Sequence, residues 1–523
     1  MSQNNQYVIV IDAGTQSIRS VLIDLQGNIC EIERTEIEPY FSEQPGFAEQ
    51  DPEYLWDILC ETTKRLIKNT SINLSDIKGL SITTQRGTLV NLDDTGKPLR
   101  PAIIWLDQRK AKLHNWPKGI IKKGLQLINM YESLAHAIKD GESNWIQQNQ
   151  PDIWAKTHKY MFLSGFFIHR LVGKYVDSVG STVGYIPFDY KKQRWSKSGE
   201  INAHLFPIES EKLVDLVKPS DLIGYITPKA SEQTGLPEGL PVIAAAADKA
   251  CEVLGSGCRT PDIACLSYGT TATIETVNDK YVEVIPFFPS YPSAIPNHYN
   301  TEVMIYRGYW MIKWFKQEFG HKEIELSKQT GKSPEELFDE MIKDIPPGSM
   351  GLTLQPYWSP GVKIPGIEAK GAVIGFGDVH TRAHLYRSIL EGITYALKDG
   401  ALRTEKRTHV KIQKLRVSGG GSQSKNALQM TADIFNMPVE KPHTYETSAL
   451  GAAINCAVGL KLYPDFQTAI QNMCRIAEVY KPIPENTIIY KDLFDRVYMK
   501  MYKQLKPLYQ DIREITNYPK KEL

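Results

Sequence analysis

Residues 8–24 read Val-Ile-Val-Ile-Asp-Ala-Gly-Thr-Gln-Ser-Ile-Arg-Ser-Val-Leu-Ile-Asp, an apolar run, a tight polar turn at Gly14-Thr15 and a second alternating run. The design returns at 263–279, where Gly269, Thr270 and Asp279 fall over Gly14, Thr15 and Asp24 without a gap. Each stretch predicts a β-hairpin whose turn offers backbone N–H groups and a hydroxyl, a nest suited to phosphate oxygens because glycine places no Cβ in the way. Either hairpin alone reads as an ordinary glycine turn. Their repetition argues for two related domains holding a nucleotide's phosphates between them, and a 523-residue chain is long enough to give each domain its own core.

The remaining pattern points to α/β layers. Cys30–Glu38 continues the first hairpin as a third strand, and Asp51-Pro52-Glu53 starts a helix. Gly79–Thr83, Thr88–Leu92, Ala102–Trp105 and Pro241–Ala244 read as strands, whereas Trp145–Trp154 and Lys159–Leu171 carry apolar residues at helical spacing. Asp177–Asp189 reads as a loop, and Gly255-Ser256-Gly257 as the linker before the second hairpin. In the second half, helices are expected at Tyr309–Phe319, Pro334–Lys343, Thr381–Arg403, Ser424–Phe435 and Thr447–Gly459, with a Gly/Pro-rich loop at 346–366 and a tail helix at 490–515. Strand meanders followed by helices, given twice, predict layered α/β domains.

Composition narrows the function. A net charge of +1 gives no global field for nucleic acid or an anionic membrane, and 42% hydrophobic residues argue against long disorder. The seven cysteines (Cys30, Cys60, Cys251, Cys258, Cys265, Cys456 and Cys474) include no Cys-x-x-Cys pair, so packing thiols are expected rather than a metal site. A polar start running straight into a strand shows no secretory signal, and no apolar run approaches the roughly 20 residues that span a bilayer. A soluble cytoplasmic protein is expected, and a homodimer is left open.

Several residues could carry chemistry. Asp248 follows an apolar strand and four alanines and opens a helix, which places it at the carboxyl end of a sheet, where open α/β sheets bind ligands. It is equally readable as a helix N-cap. As a base it would take the proton of an attacking hydroxyl, which is most of what phosphoryl transfer asks of a side chain. Asp12, at the end of the first strand, would be repelled by phosphates unless a cation lay between, which makes it a candidate Mg²⁺ ligand. Gln85, Arg86, Trp105, Asp107 and Arg109 end neighbouring strands, a set of amide, guanidinium and carboxylate beside an indole that suits a polyhydroxylated ligand. Gly419-Gly420-Gly421-Ser422, between a strand and a helix, can receive an anion or the polar face of a nucleotide.

Taken in order, these stretches resemble the FGGY family of carbohydrate kinases over nearly the whole chain. The resemblance rests on Asp12-Ala-Gly-Thr15-Gln-Ser17, Pro101 to Arg109, Trp145 to Lys156, Ala247-Asp248-Lys249, Ser267-Tyr-Gly-Thr270-Thr, Gly375 to Gly392, Ser418-Gly-Gly-Gly421-Ser-Gln-Ser424 and Ala449-Leu-Gly451-Ala-Ala. It implies two actin-like, ribonuclease H-like domains with a ligand cleft between them: a sugar-binding N-terminal domain at 1–255, an ATP-binding domain at 256–485 and a helical tail at 486–523. It implies ATP-dependent phosphorylation of a small sugar, ketose or polyol, with Asp248 as general base, Mg²⁺ with the ATP, and no nucleic-acid or membrane partner. Gly14, Thr15, Gln16 and Arg19 would face the phosphates, as would Gly269 and Thr270. Gly420, Gly421 and Ser424 would hold the adenosine end, and Gln85, Arg86, Trp105 and Asp107 would meet the acceptor. A non-catalytic ATPase or a sugar sensor of the same fold is the alternative. Two departures bear on the acceptor. Arg86-Gly87 stands where glycerol kinases usually have Arg-Glu, and Gln85-Arg86-Gly87 where xylulokinases typically have Met-His-Gly.

Overall fold

The computed structural model describes residues 6–113, 119–127, 130–286, 288–359 and 365–518, so part of the loop at 346–366 lies outside the described residues. The chain divides into two compact units. The first holds residues 1–259, 277–300 and 446–475, and the second holds 260–276, 301–445 and 476–523. Residues 446–475 thus return to the first unit, where a single cut at residue 255 does not place them.

The first unit is built on a six-stranded sheet. Its strands are β1 (Tyr7–Ala13), β2 (Ser17–Asp24), β3 (Ile29–Glu36), β4 (Ile77–Thr84), β5 (Leu222–Tyr225) and β6 (Pro241–Ile243), in the order β5-β6-β4-β1-β2-β3. β1, β2 and β3 form the expected antiparallel meander, and β1, β4 and β6 run parallel. Because those three strands point the same way, their carboxyl ends gather on one side of the sheet. β1 is apolar on both faces and is buried on both, as a strand between two covering layers requires. β3 alternates half-buried and exposed residues, which suits an edge.

Helix α1 (Pro52–Asn69) begins as its sequence dictates: the Asp51 carboxylate accepts the Glu53 N–H at 2.9 Å and Pro52 occupies the first turn. Leu55, Trp56, Leu59 and Leu66 join Ile9, Ile11, Leu80 and Ile82 in one core. Helix α2 (Asp248–Gly255) and helix α3 (Thr447–Gly459) cross so closely that a Cβ at Gly255 would lie 1.9 Å from the Thr447 carbonyl oxygen, and one at Gly451 1.9 Å from that of Cys251. The small residues of α3 are what permit this contact, which draws residues 446–475 into the first unit.

The second unit repeats the meander. β7 (Ile263–Tyr268), β8 (Ala272–Asn278), β9 (Tyr299–Ile305), β10 (Lys414–Ser418), β11 (Val439–Pro442) and β12 (Ile476–Tyr480) take the order β9-β8-β7-β10-β11-β12. β7 is antiparallel to β8 and parallel to β10, as β1 is to β2 and β4. The repeated hairpins differ by one position. Asp12 pairs with Arg19, whereas Ser267, which falls over Asp12 in the sequence, pairs with Thr273. The second turn is therefore one residue tighter.

Three local expectations change. Lys159–Leu171 is not one helix: Lys159–Phe162 is a strand paired with Leu89–Leu92, and the helix runs Leu163–Val172. Trp145–Trp154 is split into Glu142–Asn149 and Pro151–Lys156, since Pro151 has no N–H to continue the ladder. The stretch 177–189 contains the end of the strand Val176–Ser178, a 3₁₀ turn at Val179–Ser181 and the strand Phe188–Asp189. All seven cysteines are free thiols; five are buried, while Cys30 is exposed. Among the described residues no helix is long and apolar enough to cross a membrane, and no group of His, Cys, Asp and Glu forms a metal cluster.

Candidate active site

The parallel strands β1, β4 and β6 deliver Asp12, Gln85-Arg86 and Asp248 to one end of the first sheet. β6 stops at Ile243, and the following alanines are held in line by hydrogen bonds from β4. Ser81 Oγ donates to the Ile243 carbonyl at 2.9 Å, and Thr83 Oγ1 to that of Ala246 at 2.8 Å. Asp248 is the first residue of α2; the cap position belongs to Ala247, which provides no side-chain cap. The carboxylate is therefore not consumed as an N-cap, although its Oδ1 accepts the Lys249 N–H at 2.7 Å. Half-buried, it has a pKa pushed up to about 6, chiefly by burial. The charges of Arg86 and Lys249 oppose that rise, and Asp12 adds to it. The Lys249 ammonium itself turns to Glu252, 2.8 Å away.

Asp12 is buried, 3.0 Å from the Arg19 guanidinium, its cross-strand partner; Arg19 also pairs with Glu446. Burial raises the Asp12 pKa against the pull of Arg19, and Glu446 and Glu252 raise it further. Asp12 Oδ2 is the oxygen that faces Arg19 at 3.0 Å, outside hydrogen-bond geometry, so that ion pair is its one charged contact and no hydrogen bond satisfies it.

Thr15 stands at the centre of a polar relay. The Trp105 indole N–H donates to Thr15 Oγ1 at 3.1 Å, Thr15 Oγ1 donates to Gln85 Oε1 at 2.7 Å, and Gln85 Nε2 donates to Gln50 Oε1 at 2.7 Å. Gln85 is buried with both ends of its amide engaged, so it orients Thr15 rather than facing a ligand. Trp105 is 41% exposed beside this relay. Arg86 lies over the Tyr291 ring at 5.3 Å, and Gln16 is exposed at the turn.

Asp107 has a different task from the one its position suggests. Its Oδ1 accepts the Arg109 N–H and Nε–H, both at 2.8 Å, and its Oδ2 accepts the Ala48 N–H at 2.6 Å and Arg109 Nη2 at 2.7 Å. With four hydrogen bonds accepted, its carboxylate fastens the loop that carries Trp105. Arg109 is held in turn by Glu49 at 2.9 Å and by the rings of Phe47 and Trp145, at 3.8 and 4.6 Å.

In the second unit the ends of β7 and β10 come together through the pairing of Ser267 with Ser418. This brings Gly269 and Thr270 to the glycine run 419–421. Gly419 has φ +80°, and a Cβ there would meet the Tyr268 backbone at 3.0 Å. A Cβ at Gly421 would lie 2.3 Å from the Tyr309 ring, which stacks on Tyr268. Those two glycines are required by the fold. Gly420 and Gly14 are not: a Cβ meets nothing within 4 Å at Gly420 and nothing nearer than 3.7 Å at Gly14, and neither has positive φ. Their small size leaves room for something outside the protein, which is what a phosphate nest requires. Ser424 is already engaged. Its Oγ accepts the Ala427 N–H at 3.1 Å and donates to Asp339 at 2.8 Å, so it caps the helix Lys425–Phe435.

Residues 7–255 match the N-terminal domain of the FGGY family of carbohydrate kinases, and residues 264–460 its C-terminal domain. The chain belongs to that family. It is a carbohydrate kinase with the family's two actin-like, ribonuclease H-like domains, and kinases of this family use ATP as phosphate donor. Among curated relatives, this FGGY kinase is 29% identical to the uncharacterized sugar kinase YgcE of Escherichia coli, covering 96% of the chain and 94% of the relative. It is 28% identical to a xylulose kinase of Staphylococcus epidermidis, covering 98% and 99%. The crystal structure of gluconate kinase from Lactobacillus acidophilus superposes with a TM-score of 0.78 at 22% identity, covering 98% of each chain.

The sequence reading of this FGGY kinase missed two carboxylates. Glu252 sits three residues after Lys249 on one helix, a spacing that could have disclosed the pair. Glu446 reaches Arg19 across 427 residues of sequence, and nothing local announces it.

Proposed function

We propose that this kinase transfers the γ-phosphoryl group of ATP to a hydroxyl of a small sugar, ketose or polyol, with Asp248 as the general base. The acceptor's O–H proton passes to the Asp248 carboxylate as the oxygen bonds to phosphorus. The bond from that phosphorus to the β–γ bridging oxygen breaks, and ADP leaves. The observation that carries the proposal is the half-buried Asp248 carboxylate at the ends of the parallel strands, with a pKa of about 6 and Arg86 beside it. Such a group is mostly ionised at pH 7 yet basic enough to accept a proton in the transition state.

Arg86 and the exposed face of Trp105 bind the acceptor. Gln85 and Asp107 act at one remove, through Thr15 and the Trp105 loop. Thr15 and the backbone at Gly14 and Gln16 take phosphate oxygens, as do Gly269 and Thr270, while the open flank of Gly420 receives the nucleoside. Arg19 supplies positive charge to the phosphates. The Asp12 carboxylate, whose Oδ2 meets Arg19 without a hydrogen bond, would hold a Mg²⁺ ion carried with ATP, which would offset phosphate charge. The names of its relatives support a sugar or sugar-acid acceptor, and the Gln85-Arg86-Gly87 turn supports one other than xylulose or glycerol.

Asp248→Asn tests the assignment. ATP binding, read by calorimetry, should persist while turnover falls about 10²–10⁴-fold. Turnover within a few-fold of wild type would remove Asp248 from the mechanism.

A further inference from the structure

A cavity of about 310 Å³ lies in the first unit, bordered by the strand Arg194–Trp195 with the turn before it and by the strand Asp215–Val217. Its size is at the lower end of the range for small-molecule sites. None of Asp12, Arg86, Trp105 or Asp248 lines it. Val179, Leu216 and the Trp195 ring give it apolar walls. The Trp195 indole N–H is bound to the Val214 carbonyl at 2.7 Å, which fixes the ring and leaves only its carbon surface to a ligand.

The remaining wall is polar, with the cations Lys192, Arg194 and Lys218 beside the neutral Gln193, Asn297 and Tyr299. Lys192 and Arg194 share Asp189 and Glu200, whereas Lys218 is exposed with no ion-pair partner among the described residues. Asp221 accepts the Lys218 backbone N–H at 2.9 Å, yet the Lys218 ammonium makes no ion pair among the described residues and stands beside an aromatic wall. That combination accepts an anionic group joined to a compact carbon body.

We propose that this cavity binds a small organic anion, a phosphorylated or carboxylated molecule of sugar size, and that its occupancy adjusts the acceptor site. The second half of the proposal rests on the reading of Arg86 and Asp248 as that site. Val179 opens the 3₁₀ turn Val179–Ser181, and the flanks of that turn are bonded to both residues' neighbours. Gly180 O accepts the Ala247 N–H at 3.0 Å, directly before Asp248, and Val183 O accepts the Gly87 N–H at 3.1 Å, directly after Arg86. Ser178 Oγ donates to the Ala245 carbonyl, and a Cβ at Gly180 would lie 2.6 Å from that of Ala246. A ligand pressing on Val179 thus moves a segment with no slack against the two acceptor-binding strand ends.

Isothermal titration of the full chain with glucose 6-phosphate, glucuronate, glucose and inorganic phosphate tests this, repeated on Lys218→Glu and on Leu216→Trp, which fills the cavity. One of the two organic anions should bind more tightly than glucose or phosphate, and the tighter of them assigns the anionic group. Each variant should weaken it by about tenfold or more, the loss expected for one charge-assisted contact, with ADP affinity unchanged. The same ligand should shift the acceptor KM of wild type and not of Leu216→Trp. Affinity untouched by Lys218→Glu, or abolished only by Arg86→Ala, would mean binding elsewhere and overturn the proposal. Inorganic phosphate binding as tightly as the organic anions would overturn it as well. An active Asp248→Asn enzyme would remove the reading of the acceptor site while leaving the binding result to stand by itself.

Discussion

Replacing Asp248 by asparagine should strengthen the fold while it removes the base, and the two effects share one physical cause. Burial raises the Asp248 pKa from 3.8 to about 6, even with Arg86 and Lys249 favouring the charged form. At about 1.4 kcal/mol per pKa unit, holding that carboxylate ionised costs the folded state up to about 3 kcal/mol at neutral pH. The sign follows from proton binding. Well below the unfolded pKa of 3.8 both folded and unfolded chains keep the proton, and no cost arises. Between about 4 and 6 the unfolded chain releases a proton that the folded chain retains, so the stability of the wild type falls as pH rises through this window. Above 6 the cost is constant. Asparagine has nearly the same shape, keeps an oxygen for the Lys249 N–H and carries no charge. Thermal melts of both proteins from pH 4.5 to 8 should therefore lie closest at the acid end, move apart up to about pH 6 and keep a constant separation above it. The variant should melt higher by several degrees, at roughly 2–4 °C per kcal/mol for a unit of this size. An offset that does not change with pH, or a variant that melts lower at pH 7, would refute the account of Asp248 as a carboxylate held ionised against burial.

Three further outcomes can be checked. kcat/KM should fall on the acid side with an apparent pKa near 6, because protonated Asp248 cannot accept the acceptor's proton; initial rates from pH 5 to 8 decide this. Gly14→Ala and Gly420→Ala should leave the melting temperature within a degree or two and raise the ATP KM about tenfold, whereas Gly421→Ala should lower stability, because its Cβ would strike the Tyr309 ring at 2.3 Å. Asp107→Ala should destabilise the first unit by about 1–3 kcal/mol, the cost of leaving buried donors unsatisfied while Glu49 still pairs with Arg109; a variant of native stability with only a raised sugar KM would return Asp107 to the acceptor.

The hairpins, the meanders and the position of Asp248 were legible because each is written in local pattern: apolar runs broken by glycine, and a strand running into a helix start. Lys159–Leu171 was not, since Tyr160, Met161, Phe162, Leu163, Phe166 and Phe167 are apolar at both strand and helix spacing, and only the pairing of Leu89 with Phe162 marks where the strand ends. Side-chain engagement was equally hidden. Asp107, Gln85 and Ser424 have the residue types of a binding site, but Arg109, Gln50 and Asp339 take up their polar atoms. Sequence supplies the donors and acceptors, while only the fold says which of them already have partners.

The same distinction explains why the phosphate end of the first unit calls for a cation from outside. Asp12, Asp248, Glu252 and Glu446 stand against Arg19, Arg86 and Lys249, one carboxylate more than the cations present. Arg19 is shared between Asp12 and Glu446, and Lys249 is turned to Glu252, so neither is wholly available to a triphosphate. A polyanion entering such a surface unaccompanied would be repelled, and in a low-dielectric setting that repulsion is large. Asp12, whose Oδ2 meets Arg19 at 3.0 Å without a hydrogen bond, is the carboxylate proposed to take compensating positive charge. Asp12→Asn should therefore weaken ATP binding more in the presence of Mg²⁺ than in its absence. Equal weakening under both conditions would assign Asp12 to holding Arg19 in place and not to the metal.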